Sequence, residues 1–496
     1  MQKNKIENLV IVGGGTAGWI TASLLVKVLG KAINITLVES SKIGTIGVGE
    51  ATIPPIIPFN NALGLDEAEF IKKTKGTIKL GIQFENWGKI GDSYMHAFGD
   101  IGKNFPFCEF HHFWVKSQQM GIKSDFWDFS LNYQAGKHNK FQKVSGIKGT
   151  NLPGIQYAYH FDASLYAQFL SEFSQKQGVK RIDGVVSKVN LNNEDGWVES
   201  IELDDGKIIA GDLFVDCTGL KSLLIEQALN TGFDDWSHWL PCNRAVAVQS
   251  ESSGRIKPYT RSIAHEAGWQ WQIPLQHRTG NGLVYSSKHL SDEEATEKLL
   301  ATIEGKSIGE PRVIPYRTGK RRKHWNRNVV AIGLSAGFFE PLESTNIHLI
   351  QTGAIRLLKL FPHNGITEKE VSEYNQQTCT EYERIRDFII LHYKLNQRSD
   401  SEFWKQCQRM DVPDSLSDRI KLFADTGKVF RVQDELFTEI AWKQVLIGQG
   451  AIPNDFHPLV NTLSEEQIQD LMKSLKTLVD RTVNSMPTHE EFLSAL

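Results

Sequence analysis

The chain changes its hydrophobic rhythm along its length, and the changes mark its elements. Leu9-Val10-Ile11-Val12 is a short apolar run closed by Gly13, Gly14 and Gly15, the pattern of a buried strand entering a tight turn. Apolar residues then continue at helical spacing to about Leu29, and Ile33 to Val38 forms a second strand ending at Glu39. Strand, glycine turn, helix and strand together predict a β-α-β unit. Leu213 to Asp216 runs into Cys217-Thr218-Gly219, and Val329 to Gly333 leads on to Glu340-Pro341-Leu342-Glu343-Ser344-Thr345. Strands that return to glycine turns so far apart predict one nucleotide-binding sheet interrupted by long insertions.

Residues 240–290 read as β-rich: Arg244 to Val248, Trp269 to Ile273, and Leu283 to Tyr285. Such a sheet is expected to form a wall on the substrate side. Ile78, Leu80, Ile82 and Phe84 alternate with Lys79 and Gln83, which predicts a strand with Lys79 on its polar face. From His348 onward helical patterns dominate. Ser464 and Gln467 form a capping box before an apolar stripe of Ile468, Leu471, Leu475 and Leu478, expected to face a core. The expected architecture is therefore α/β. A Rossmann-like box spans about 1–350 with insertions, including the β-rich sheet near 240–290, and a mainly helical substrate-side region spans 351–496.

Composition adds limits. At 496 residues, 40% apolar and 23% charged, the chain is long enough for two or three coupled units with a substantial core. A net charge of -3 gives no general electrostatic reason to bind nucleic acid or an acidic membrane. The densest basic run, Lys320-Arg321-Arg322-Lys323, reads as a solvated loop. The uncharged run Leu9 to Val26 imitates a membrane span, but glycines interrupt it, so a buried strand and helix are expected instead. Five scattered cysteines with no C-x-x-C indicate neither a disulfide framework nor a cysteine zinc site, and a reduced cytoplasmic setting is the default. His111-His112 lacks any H-E-x-x-H-type spacing; the pair reads as structural or substrate-lining, and no metal is expected.

The candidate chemistry begins with Gly13-x-Gly15-x-x-Gly18, enclosing Thr16 and Ala17. Its glycines allow a tight turn and close approach of backbone to a pyrophosphate at a helix N-terminus. Glu39 stands at a strand end, where a carboxylate accepts ribose hydroxyls. The motif alone does not separate FAD from NAD. Trp269 and Trp271, two apart on a strand, place two large rings on one side, by themselves an ordinary packing pattern. Ser344 or Thr345 can start a helix marked by Ile347, Leu349, Ile350 and Ala354, whose first amides suit an anion. Glu343, just before that helix, fits a charge that complements the macrodipole.

Taken together, these segments resemble the flavin-dependent halogenase family of the tryptophan and indole type. Gly13-Gly14-Gly15-Thr16-Ala17-Gly18-Trp19 is similar to that family's flavin fingerprint, and Gly47-Val48-Gly49-Glu50-Ala51-Thr52-Ile53-Pro54 to a segment lying against the flavin. Thr77-Ile78-Lys79-Leu80-Gly81 resembles the active-site lysine segment, Glu340 to Thr345 the acidic and halide-binding segment, and Trp269-x-Trp271-x-Ile273-Pro274 the W-x-W-x-I-P signature. The resemblance implies an FAD-binding, flavin monooxygenase-type core. It implies Glu50, Ala51, Val186, Leu334 and Ile347 at the cofactor in addition to Gly13, Gly15, Thr16, Ala17, Gly18 and Glu39. It implies Lys79 and Glu343 as catalytic, the amides of Thr345 and Asn346 at the halide, and Trp269, Trp271 and Pro274 as a separator between flavin and substrate. Tryptophan halogenases commonly have glycine where Asn346 stands, a change that bears on pocket size and halide preference.

The implied reaction uses reduced FAD from a separate NAD(P)H-dependent flavin reductase, since no second dinucleotide fingerprint appears. Oxygen and chloride or bromide give hypohalous acid. It reaches Lys79 as a hydrogen-bonded acid or a haloamine, and an electron-rich aromatic attacks it. Glu343 either accepts the ring proton or stabilises charge. Glu439 to Val445 does not align clearly with the amino-acid grip of tryptophan-specific relatives. An indole-type substrate is therefore favoured, with Trp442, Phe107 and Phe110 as lining residues and tryptophan kept open. The competing readings are an FAD-dependent aromatic monooxygenase and a flavin-binding protein without turnover.

Overall fold

The structure is a computed structural model and describes residues 5–43 and 49–496. Gly47 and Val48 of the flavin-side motif lie outside the described residues. The chain divides into two compact, discontinuous units: 1–76, 161–238 and 315–383 form the first, and 77–160, 239–314 and 384–496 the second.

The first unit is built on a six-stranded sheet in the spatial order Trp325–Asn326, Val329–Ala331, Leu213–Asp216, Asn8–Val12, Asn34–Glu39, Lys180–Asp183. All neighbours pair in parallel except the short first strand, which runs antiparallel to Val329–Ala331. Leu9, Val10, Ile11 and Val12 are all buried, as a strand covered on both faces requires. The helix Thr16–Leu29 packs against Ala163–Lys176 and Asn346–Lys359. The uncharged run from Leu9 is thus strand, turn and helix, and no described helix is long and apolar enough to cross a membrane.

The second unit carries a seven-stranded sheet ordered Ser307–Pro315, Arg244–Ser250, Thr279–Tyr285, Gly268–Pro274, Thr260–His265, Gly81–Glu85, Ser93–Ala97. The β-rich reading of residues 240–290 corresponds to four of these strands. The helix Glu439–Gly448 packs on Ser93–Ala97, where the Gln444 amide bonds both the N–H (2.9 Å) and the carbonyl (3.0 Å) of Ala97.

Three local expectations are corrected. The 320–323 run is not a solvated loop: Lys320 and Arg321 are buried on the strand Gly319–Arg321 and pair with Asp234 (2.9 Å) and Glu226 (2.5 Å), while Arg322 stays exposed. Carboxylates distant in sequence compensate the burial. In the helix Glu465–Asn484 the capping box is present, but the buried stripe is Ile468, Met472, Leu475, Val479 and Val483. Leu471 and Leu478 sit at its margin. Lys79 does not lie on a solvated polar face; it is completely buried.

Candidate active site

In the first unit the glycine turn has the shape of a dinucleotide cradle. Gly13 adopts φ +110°, and a Cβ there would sit 2.3 Å from the Cys217 carbonyl oxygen. At Gly18 a Cβ would sit 1.9 Å from the Gly13 oxygen, so the helix can start this close only without a side chain. Gly15, by contrast, faces open space and precedes the helix N-terminus with no side-chain cap. Glu39 ends the second strand, where the Trp19 indole N–H (3.2 Å) and the Arg181 guanidinium both donate to its carboxylate. Gly333, at φ +76°, brings the turn containing Leu334 against Ala17. Open amides, a close glycine turn and an oriented carboxylate fit the pyrophosphate and ribose of FAD.

Glu50 and Ala51 lie on the short strand Gly49–Ala51, and burial pushes the Glu50 carboxyl up to about 7. Val186 opens the strand Val186–Leu191 and is half-buried. Pro341–Glu343 forms one 3₁₀ turn, with Glu343 buried; Ser344 follows at φ 57°, and the helix Asn346–Lys359 begins after Thr345. Thr345 does not cap this helix by its side chain: among the described residues its buried hydroxyl has no hydrogen-bond partner. The helix start therefore leaves amide donors for an anion, as its position dictates. Ile347 is buried on the same helix.

In the second unit Lys79 ends the strand Thr77–Lys79, which pairs antiparallel with Ala158 to His160. Its ammonium stands 5.4 Å from the centre of the Phe98 ring, over the face. The backbone around it is fastened on both sides. The Leu80 amide donates to Pro258 (2.7 Å), and the Phe98 amide to Leu80 (2.9 Å). The Thr77 hydroxyl donates to the Pro274 carbonyl at 2.7 Å and meets His160 Nδ1 at 2.9 Å. Because Thr77 spends its proton on Pro274, His160 Nδ1–H must donate to Thr77, and the Thr260 hydroxyl then donates to His160 Nε2 at 2.9 Å. This order demands a neutral imidazole. Burial, reinforced by the charge of Lys79, holds His160 well below the usual histidine range.

Trp269, Trp271 and Pro274 share the strand Gly268–Pro274. The two indoles are buried with ring centres 6.2 Å apart. Trp271 pairs across the ladder with Gly282, where a Cβ would meet its ring at 2.1 Å. Of the three suggested lining residues, Phe110 and Trp442 are buried, whereas Phe107 is 93% exposed at φ 63°.

Residue patterns alone missed several supporting groups. Arg181 on Glu39, Thr77 and His160 behind Lys79, and His489 on the Ile78 amide are all long-range contacts with no local spacing signal. Asp216 had one clue, an acid closing a buried strand. Its carboxylate accepts the amides of Thr218, Leu224 and Ile225 at 2.9 Å each and so shapes the turn beside Gly13.

A parallel sheet whose first strand runs into a glycine cradle at a helix N-terminus places the first unit in the dinucleotide-binding class of folds. The tryptophan halogenase profile matches residues 8–465, and the chain belongs to that family of flavin-dependent halogenases. It is 34% identical to tryptophan 6-halogenase SttH of Streptomyces toxytricini, covering 100% of this chain and 99% of the relative. It is 30% identical to tryptophan 7-halogenase RebH of Lentzea aerocolonigenes, covering 99% and 98%. Among solved structures it resembles Xcc4156, a flavin-dependent halogenase from Xanthomonas campestris, with TM-score 0.96, 44% identity and coverage of 99% and 98%. BrvH, a flavin-dependent halogenase from Brevundimonas sp. BAL3, gives the same TM-score and identity, with coverage of 99% and 100%.

Proposed function

We propose that the chain halogenates an electron-rich aromatic of the indole class, with chloride or bromide, at Lys79. The observation that carries this reading is the environment of that lysine. It is fully buried beside Phe98, on a strand whose Thr77 bonds the carbonyl closing the two-tryptophan segment. A surface lysine needs no such support, whereas one that must hold a reactive species away from water does.

When bound, reduced FAD supplies, with oxygen, the oxidising equivalents that convert halide to hypohalous acid. Gly13, Gly15, Thr16, Ala17, Gly18 and Glu39, with Glu50, Ala51, Val186, Leu334 and Ile347, hold the cofactor. The amides of Thr345 and Asn346 bind the halide at a helix N-terminus. Trp269, Trp271 and Pro274 form the partition that keeps the organic substrate off the flavin. At Lys79 the ammonium donates a hydrogen bond to the oxygen of hypohalous acid. The aromatic carbon takes the halogen as the halogen–oxygen bond breaks, and the departing oxygen takes the Lys79 proton and leaves as water. The proton displaced from the ring passes to a base, the role we propose for Glu343. A proton from water restores the ammonium as the base returns its own to water, so the sum is arene plus hypohalous acid to haloarene plus water.

Aromatic packing near Phe98 in the sequence supports the indole class. His96, two residues before Phe98, packs with Phe388 (5.5 Å) and Phe437 (6.1 Å); Phe388 in turn stacks on Phe437 at 3.7 Å and meets Trp442 edge-on at 4.9 Å. Tryptophan itself is the second substrate, favoured by the activities named for SttH and RebH. A separate NAD(P)H-dependent reductase delivers the reduced flavin, because the chain has one dinucleotide fingerprint.

The test supplies the chain with FAD, a flavin reductase, NADH, bromide, and indole or tryptophan, and follows products by mass spectrometry. A monobrominated product is expected, and Lys79→Ala is expected to lose it while flavin oxidation continues. Oxygenated product formed without halide would replace this reading with a monooxygenase. Loss of FAD binding in Lys79→Ala would remove the lysine from its assigned role.

A further inference from the structure

We infer that Glu109, His111 and His112 form a binding site for a divalent transition metal of the zinc class. The sequence spacing gave no reason to expect one. The fold supplies it, because Glu109 is the residue preceding the helix Phe110–Gln119 and its carboxylate does not cap that helix. It turns instead toward the two histidines of the first turn. One ligand atom from each of the three residues lies within 4.8 Å of the others.

The imidazoles are prepared as ligands. His111 Nε2–H donates to the Gly427 carbonyl at 2.6 Å, which fixes its tautomer and leaves the Nδ1 lone pair available. A ligand histidine commonly has such a carbonyl on its second nitrogen. Among the described residues His112 is held by a long bond, 3.3 Å, from the His457 amide to its Nδ1, so ligation costs it little. The two rings lie with centres 4.0 Å apart, and the His457 ring is 5.9 Å from that of His112.

A small cavity adjoins the cluster, lined by Asp100, Asn104, Glu109, His111, Ile440 and Lys443. It gives the metal an open coordination position. Two imidazoles, one carboxylate and an open position suit Zn²⁺, whereas Mg²⁺ and Ca²⁺ prefer oxygen alone. Lys443 is the natural competitor: its buried ammonium pairs with Glu109 in the present arrangement, so a cation entering the site must displace it. None of this depends on the halogenation chemistry.

The test uses the full FAD-loaded chain, freed of metal by a chelator. Co²⁺ is titrated in while its visible d–d bands are followed, and Zn²⁺ binding is measured by calorimetry. One equivalent is expected, with bands of a four- or five-coordinate ion. His112→Ala and Glu109→Gln are expected to weaken binding by at least about tenfold, the least that loss of even a supporting group usually costs. Lys443→Met is expected to tighten it, since the competing ammonium is gone. The assignment is overturned if the native chain takes up no stoichiometric metal or if the Co²⁺ spectrum survives in His112→Ala. Should that variant misfold, unchanged or weaker binding in Lys443→Met overturns it equally.

Discussion

His489 accepts the backbone N–H of Ile78 at 3.1 Å across 411 positions of sequence, one residue before the buried Lys79. Its other nitrogen, Nδ1–H, donates to the Ile256 carbonyl at 2.9 Å. Only a neutral imidazole does both, because protonation removes the acceptor that Ile78 needs.

Burial holds His489 at about 4, against about 6.5 for the unfolded chain. The unfolded state therefore takes up the proton first as pH falls. This group's share of stability is intact above pH 6.5, declines through the window from about 6.5 to 4, and levels off below, a loss of about 3 kcal/mol for a shift of this size. Denaturant unfolding at pH 7.5 and pH 4.5 checks it. His489→Gln should narrow the difference between the two pH values, and an equal difference in both proteins would refute the assignment.

Thr77→Val removes the donor to Pro274 and leaves the His160 N–H buried without its acceptor. The expected cost is about 1–3 kcal/mol of stability. Halogenation should fall further than flavin oxidation, since the strand carrying Lys79 loses its register. Serine in the same place should restore both; its failure to do so would show that the methyl group, not the hydroxyl, matters.

Gly18→Ala forces a methyl against the Gly13 carbonyl. An overpacked turn costs about 1–3 kcal/mol, and if that strain is relieved in the FAD-free form, affinity drops about tenfold. Quenching of flavin fluorescence on titration measures it. Unchanged FAD affinity beside a measured loss of stability would mean that cofactor binding does not depend on this contact.

Gly282→Ala pushes on the Trp271 ring. If the tryptophans are a partition, the displaced ring should let oxidant escape. Halogenation of monochlorodimedone in bulk solution should rise while substrate conversion per flavin oxidised falls. No change in that ratio would argue that the indoles are only packing.

How far the amino-acid order discloses this site depends on the range of the interactions. Leu9 to Val12 and Leu213 to Asp216 announce themselves as strands because burial on both faces demands unbroken apolar runs. Gly13 and Gly18 announce the turn because no other residue fits it. Lys79 shows the limit: alternation with Ile78 and Leu80 marks a strand, and period two assigns the lysine to the polar side. That inference assumes the polar side faces water. Here both sides of the strand are covered, so the pattern is right and the environment is reversed. Lys320 and Arg321 deceive for the same reason, since Asp234 and Glu226 come from elsewhere in the chain. His160 and His489 carry no local pattern because their partners meet them only after the sheet has formed.

The tie between Ile78 and His489 also has a meaning in time. Translation proceeds from the N-terminus, so the ribosome makes the lysine strand long before it makes the imidazole that fastens it. A nascent chain has the lysine early but acquires this anchorage only once His489 has been made. The amide beside that buried lysine therefore waits for its acceptor until a residue 411 positions further along has emerged.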